Sequence, residues 1–118
     1  TNLPAQPLSR HTHEHLKHQR PTIQSATKVI TDLMNDFQPV PVTIDKILNE
    51  VARTYGTTVE NITSEKRNSN ITQARKAAIY IVREITGLSY EEIGKAFGGK
   101  HHSTVMYNYE QAEKEMEK

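Results

Sequence analysis

A chain of 118 residues with 35% apolar residues and a net charge of +1 has room for one compact domain plus an attached piece of another, not for a large core. Its mean hydropathy of −0.71 puts part of the chain outside any core, and a charge so near zero does not by itself point to nucleic acid. The lack of cysteine excludes disulfides and thiolate metal sites, no apolar run approaches the roughly 20 residues that span a bilayer, and no signal-peptide pattern opens the chain, so a soluble cytoplasmic protein is expected.

Residues 1–20 hold Pro4, Pro7, His11, His13, His15 and His18 but few apolar side chains, and read as a flexible lead-in. His11, His15 and His18 would share a helix face, yet Lys17 stands where an H-E-x-x-H pattern begun at His13 needs its second histidine. No metal site is expected there. Thr22 sits at a helix N-cap position, and Ala26, Val29, Ile30, Leu33 and Phe37 recur at helical spacing, which predicts a helix ending near Phe37. The prolines of Gln38-Pro39-Val40-Pro41-Val42 remove backbone donors and favour extended neighbours. A domain boundary is placed here, between residues 1–41 and 42–118.

Thr43 can cap the next helix, whose stripe is Ile44, Ile47, Leu48, Val51 and Tyr55, with Gly56 as its stop. Thr57 and Glu60 have capping-box spacing for one short turn of helix, and residues 64–70 read as a basic loop. From Ile71 to Thr86 apolar residues cover most of a helix circumference, as in the centre of a small bundle. The polar strip left over holds Thr72, Arg75, Lys76 and Arg83, which predicts an exposed cationic face. Gly87 ends this helix, Ser89 and Glu92 form a second capping box, and a short helix runs to about Phe97. Gly98-Gly99-Lys100 makes a tight turn into a last helix with Val105, Tyr109, Ala112 and Met116 inward. The fold class is all-α: a small helical bundle containing a helix-turn-helix, preceded by an extra N-terminal helix.

Charge position tells more than charge total. Cations outnumber anions from Ser64 to Thr104, whereas Glu110, Glu113, Glu115 and Glu117 make the tail acidic. Two helices joined by a short glycine turn are the minimal helix-turn-helix, in which the second helix enters the major groove and its first residues meet base edges. Those residues are His101, His102, Ser103 and Thr104, all able to hydrogen-bond and none anionic. The outward face continues through Tyr107, Asn108 and Gln111. A helix pair with a glycine turn is also a common packing unit, and scattered Lys and Arg are usually only solvated. No nucleophile with an orienting acid occurs, so an enzyme is not expected.

The run Ala78-Ile79-Tyr80-Ile81-Val82-Arg83-Glu84-Ile85-Thr86, followed by Ile93-Gly94 and by Ala96-Phe97-Gly98-Gly99-Lys100-His101-His102-Ser103-Thr104-Val105, closely resembles the C-terminal DNA-binding domain of the bacterial chromosomal replication initiators, the DnaA family. Ser64-Glu65-Lys66-Arg67 and Ala74-Arg75 fall where that family has its basic loop and following helix. The likeness extends from near Val42 to about Glu113. More weakly, Arg20-Pro21-Thr22-Ile23 and the helix after it resemble the lid that ends the family's ATPase module. No G-x-x-x-x-G-K-[ST] loop is present, so ATP is expected as a cofactor only of a full-length parent, through whose ATPase module other initiator copies would assemble.

The resemblance implies binding to double-stranded DNA at the DnaA box, a short asymmetric origin sequence, in the initiation and regulation of chromosomal replication. Carried onto this chain, it puts His102, Ser103 and Thr104 at bases or nearby phosphates, with Lys100 and His101 beside them. Arg67, next to Lys66, would enter the minor groove, while Arg75, Lys76 and Arg83 would hold the backbone. Where the family usually has Gly-Gly-Arg-Asp-His, this chain has Lys100 for the arginine and His101 for the aspartate. Aspartate can cap the helix and accept from a cytosine amino group; neutral histidine does part of both, and protonated histidine favours phosphate, so tighter binding is expected on acidification. With no dimer stripe evident, a monomer on one asymmetric site is expected. The alternatives are a dimeric helix-turn-helix transcriptional regulator and a protein-interaction module that docks through Tyr107 or the acidic tail.

Overall fold

The computed structural model describes residues 21–34 and 39–117, and these form six helices with no strand among them. In chain order they are α1 (Ile23–Leu33), α2 (Val40–Tyr55), α3 (Val59–Thr63), α4 (Ser69–Thr86), α5 (Tyr90–Ala96) and α6 (His102–Met116). The all-α class expected from the periodicity is the class observed. Histidines 11–18 and Phe37, the expected end of the first helix, lie outside the described residues.

Helix α4 is the axis of the bundle, and each of the other five packs on it. Its sequence explains why: Ala74, Ala77 and Ala78 let neighbouring backbones come close, while Ile79, Ile81 and Val82 fill the space between, all of them fully buried. Ile47 and Val51 of α2, Ile62 of α3, Ile93 and Phe97 around α5, and Val105 and Ala112 of α6 close the core. Asn70 Nδ2 donates to Tyr55 O at 2.7 Å, tying the start of α4 to the end of α2.

The caps follow local chemistry. Thr22 and Ser25 form a reciprocal capping box on α1, as Ser89 and Glu92 do on α5, each satisfying amides that the first turn leaves without a helical acceptor. Gly56 and Gly87 end α2 and α4 at φ of 67° and 72°, a region where a side chain is strained.

Four expectations are corrected. The short helix is capped by Thr58, which accepts from Asn61 N, not by Thr57, whose hydroxyl instead accepts from Asn61 Nδ2. The segment around Pro39 and Pro41 is not extended throughout, because Pro39 is the N-cap of α2 and Pro41 lies in the first turn, where a missing N–H removes no helical bond. Thr43 is thus one turn inside the helix, its amide donating to Pro39 O at 2.9 Å. On α1, Val29 and Leu33 are 52% and 57% exposed, and the face that joins the common core is Ile23, Ala26 and Ile30.

Candidate nucleic-acid interface

The site is built on the end of α3. A helix leaves its last carbonyls without helical partners and concentrates partial negative charge there, which calls for cations. Arg75, on α4 and only 7% exposed, supplies one. Its Nε donates to Ile62 O at 2.7 Å, one terminal nitrogen to Lys66 O at 2.9 Å, and the other to Asn61 O and Ser64 O at 3.0 and 2.8 Å. One planar fork therefore fixes both the helix end and the loop from Ser64 to Asn68. Lys100 arrives from the other side, its Nζ donating to Thr63 O and Ser64 O at 3.0 and 2.8 Å. Burial, and then the positive charge of Arg75, hold Lys100 below the usual lysine range, against the pull of Glu65.

The turn between α5 and α6 is shaped by three glycines. A Cβ on Gly94 would stand 2.1 Å from Lys100 O, and one on Gly98 would stand 2.5 Å from Thr63 O. The first contact brings α5 against the start of α6; the second lets the turn lie on the end of α3. Gly98 and Gly99 both adopt φ of 80°, and the Gly99 and Lys100 amides return to Gly94 O at 3.0 and 2.9 Å. Helix α6 is thereby delivered beside the basic loop with its first turn facing outward.

His101, His102, Ser103 and Thr104 are all exposed, whereas Val105, the next residue, is fully buried. His101 is the N-cap: its Nδ1 accepts from Ser103 N at 3.1 Å and lies 2.8 Å from Ser103 Oγ, and its ring leans on that of His102 at 4.3 Å.

Between the loop and α6 lies an open concavity of about 360 Å³, with Arg67, Thr72, Lys100, His101, Thr104 and Tyr107 on its walls. Glu65 is the one acidic residue among its lining groups. Arg67 is exposed and makes no hydrogen bond or ion pair with the described residues, while Lys66, also exposed, donates to Asn61 Oδ1 at 3.1 Å. Tyr107 is 62% exposed one turn beyond Thr104.

The structure brings Arg67, Lys100, His101 and Thr104 to one surface, with His102 and Ser103 at its edge, but it does not bring the expected cationic strip of α4 there. Arg75 touches the concavity from within and is buried, its guanidinium turned to four carbonyls. Lys76 is ion-paired to Glu115 at 2.7 Å, and its side chain is 16% exposed. Arg83 donates to Leu88 O at 2.7 Å and lies over the Tyr90 ring at 4.1 Å. Neither Lys76 nor Arg83 lines the concavity. Sequence reasoning read these three positions as exposed because helical spacing separates polar from apolar side chains without showing which carbonyls, carboxylates or rings await the polar ones. What it missed was the carbonyl-rich end of α3; the signal was a five-residue helix followed by a loop with little apolar anchorage.

No described helix is long and apolar enough to cross a membrane. No solved structure matches the chain. Residues 44–112 match the family described as the bacterial DnaA protein helix-turn-helix. The chain is 46% identical over 93 residues to the chromosomal replication initiator protein DnaA of Thermodesulfovibrio yellowstonii, covering 79% of this chain and 21% of that protein. To the protein of the same name from Streptococcus mutans it is 40% identical over 90 residues, covering 75% of this chain and 20% of the other. With the one from Limosilactobacillus fermentum it shares 38% over 101 residues, covering 85% and 23%. It spans about a fifth of the length of these curated relatives. The helix-turn-helix matched, α5 and α6 with their glycine turn, is the element that carries the exposed His101–Thr104 face, and the chain belongs to the bacterial DnaA helix-turn-helix family.

Proposed function

We propose that this domain binds double-stranded DNA as a monomer, with the first turn of α6 in the major groove of a DnaA box and Arg67 in the adjacent minor groove, and that it serves a replication initiator at its origin. The observation that carries the reading is the exposure of His101, His102, Ser103 and Thr104 beside a concavity lined by Arg67 and Lys100. Thr104 offers a hydroxyl and a methyl, suited to a thymine edge, and arginine suits the narrow minor groove of A/T-rich DNA. Lys66 flanks the helix entry and supplies a phosphate contact, while Lys100, tied to the end of α3 by two carbonyls, adds positive charge to the wall of the concavity. Arg75 supports this surface from within, holding the loop that presents Arg67. Of the two other cations of α4, Arg83 is held by Leu88 O and the Tyr90 ring, and Lys76 is spent on Glu115.

The name shared by the relatives, chromosomal replication initiator, supports the replication role, and this chain spans about a fifth of their length. The test is a titration of labelled duplexes, one carrying the box and one scrambled, at two salt concentrations. Preference for the box with affinity falling steeply as salt rises is expected, since each neutralised phosphate releases counterions. Equal weak binding to both duplexes contradicts box recognition, and no binding contradicts the DNA reading altogether.

A further inference from the structure

His101 is the N-cap of α6, and the cap sets the roles of its two ring nitrogens. A backbone amide can only donate, so the 3.1 Å contact from Ser103 N requires Nδ1 to be an acceptor without a hydrogen. The Ser103 hydroxyl, 2.8 Å from the same nitrogen, must then direct its own hydrogen toward it. A neutral imidazole with a bare Nδ1 carries its proton on Nε2. Among the described residues nothing accepts from Nε2, the residue is exposed, and the His102 ring against its face limits rotation. The cap thus turns this side chain into an oriented donor at the point where a recognition helix enters the groove.

Resting on the DNA-binding reading above, we propose that His101 is a specificity-determining residue that reads its base edge by donation from Nε2. The edge it faces must offer an acceptor: guanine N7 or O6, adenine N7, or thymine O4. The cytosine amino group, a donor, is rejected at that position. An anionic side chain in the same place would reverse the preference, because a carboxylate only accepts.

The experiment is selection from randomised duplexes by the 118-residue chain and by its H101D and H101N variants, each checked by urea melting. Asp and Asn are both favoured N-caps, so the helix start is kept. The native chain should disfavour cytosine at one position, and H101D should favour it there, each by on the order of 5- to 150-fold, the range of one good base contact. H101N should select adenine at that position, since its amide matches the N6 and N7 edge, and this arm stands if H101D fails to fold. If all three proteins select the same base at every position, His101 reads nothing and the inference is overturned while DNA binding stands. If the native chain selects no duplex, the DNA-binding reading falls and this inference with it.

Discussion

Two sets of basic residues that look alike in the sequence have opposite fates. The guanidinium of Arg75 is buried and donates to four carbonyls around the end of α3, and Lys100 spends its ammonium on two. Arg67, a few residues from those carbonyls, is exposed and holds nothing among the described residues. The difference is not in the side chains but in what the backbone leaves unpaired. A helix of five residues has more orphan carbonyls than internal bonds, so nearby cations are drawn inward until those carbonyls are satisfied, and the next cation is left for a partner.

The largest effect that separates the two sets is expected from Arg75. R75M leaves the carbonyls of Asn61, Ile62, Ser64 and Lys66 short of donors in a part-buried site and should cost about 3 kcal/mol or more, roughly a 10–20 °C fall in Tm for a domain of this size. R75K should recover little of it, because one ammonium cannot span four acceptors. A melting curve close to that of the native chain for R75M would erase the contrast. T104A and H102A should behave in the opposite manner. Each should lose roughly 1–3 kcal/mol of box affinity in a duplex titration, with stability unchanged to within about 0.5 kcal/mol.

R67A comes next. It should leave the melting curve in place, weaken box binding, and reduce the slope of log affinity against log salt by about 1 if the guanidinium neutralises one phosphate on its way into the minor groove. An unchanged slope with unchanged affinity would show that Arg67 merely points into water. The smallest expected effect lies on the far side of the bundle. Tyr109 donates to Glu84 Oε2 at 2.6 Å, and burial first, then that bond, raise its hydroxyl above the ordinary tyrosine value of 10.0. Y109F should cost about 1 kcal/mol at neutral pH. Because the folded hydroxyl keeps its proton where the unfolded one has lost it, the native advantage is complete below pH 10 and fades as pH rises through it. A Y109F penalty that grows above pH 10 would contradict that assignment.

How much could be read beforehand depends on the range of the forces involved. Ser89 and Glu92, Gly87 and the paired glycines 98 and 99 act over three or four residues, and their caps and turn were legible letter by letter. So was the exposed start of α6, which needs only the inward stripe of Val105, Tyr109, Ala112 and Met116 to set its rotation. The fate of Arg75 was not legible, since its acceptors lie 9 to 14 residues away and exist only once α3 has docked on α4. Lys76 and Glu115 are 39 residues apart, and nothing local joins them. Pro39 and Pro41 were read as a break because a proline at a helix start and one in a linker look the same until the following turn is seen.

The central claim, that the first turn of α6 and the loop at Arg67 face the duplex while Arg75 stays inside, is tested most directly by a titration of the isotopically labelled chain with a box duplex, followed by amide NMR. Shifts should concentrate at Arg67, Thr72, Lys100 and His101 through Tyr107, with Lys76 and the acidic end of α6 almost still. Shifts centred on Lys76, Arg83 or the tail, with the His101–Thr104 amides unmoved, would contradict the account.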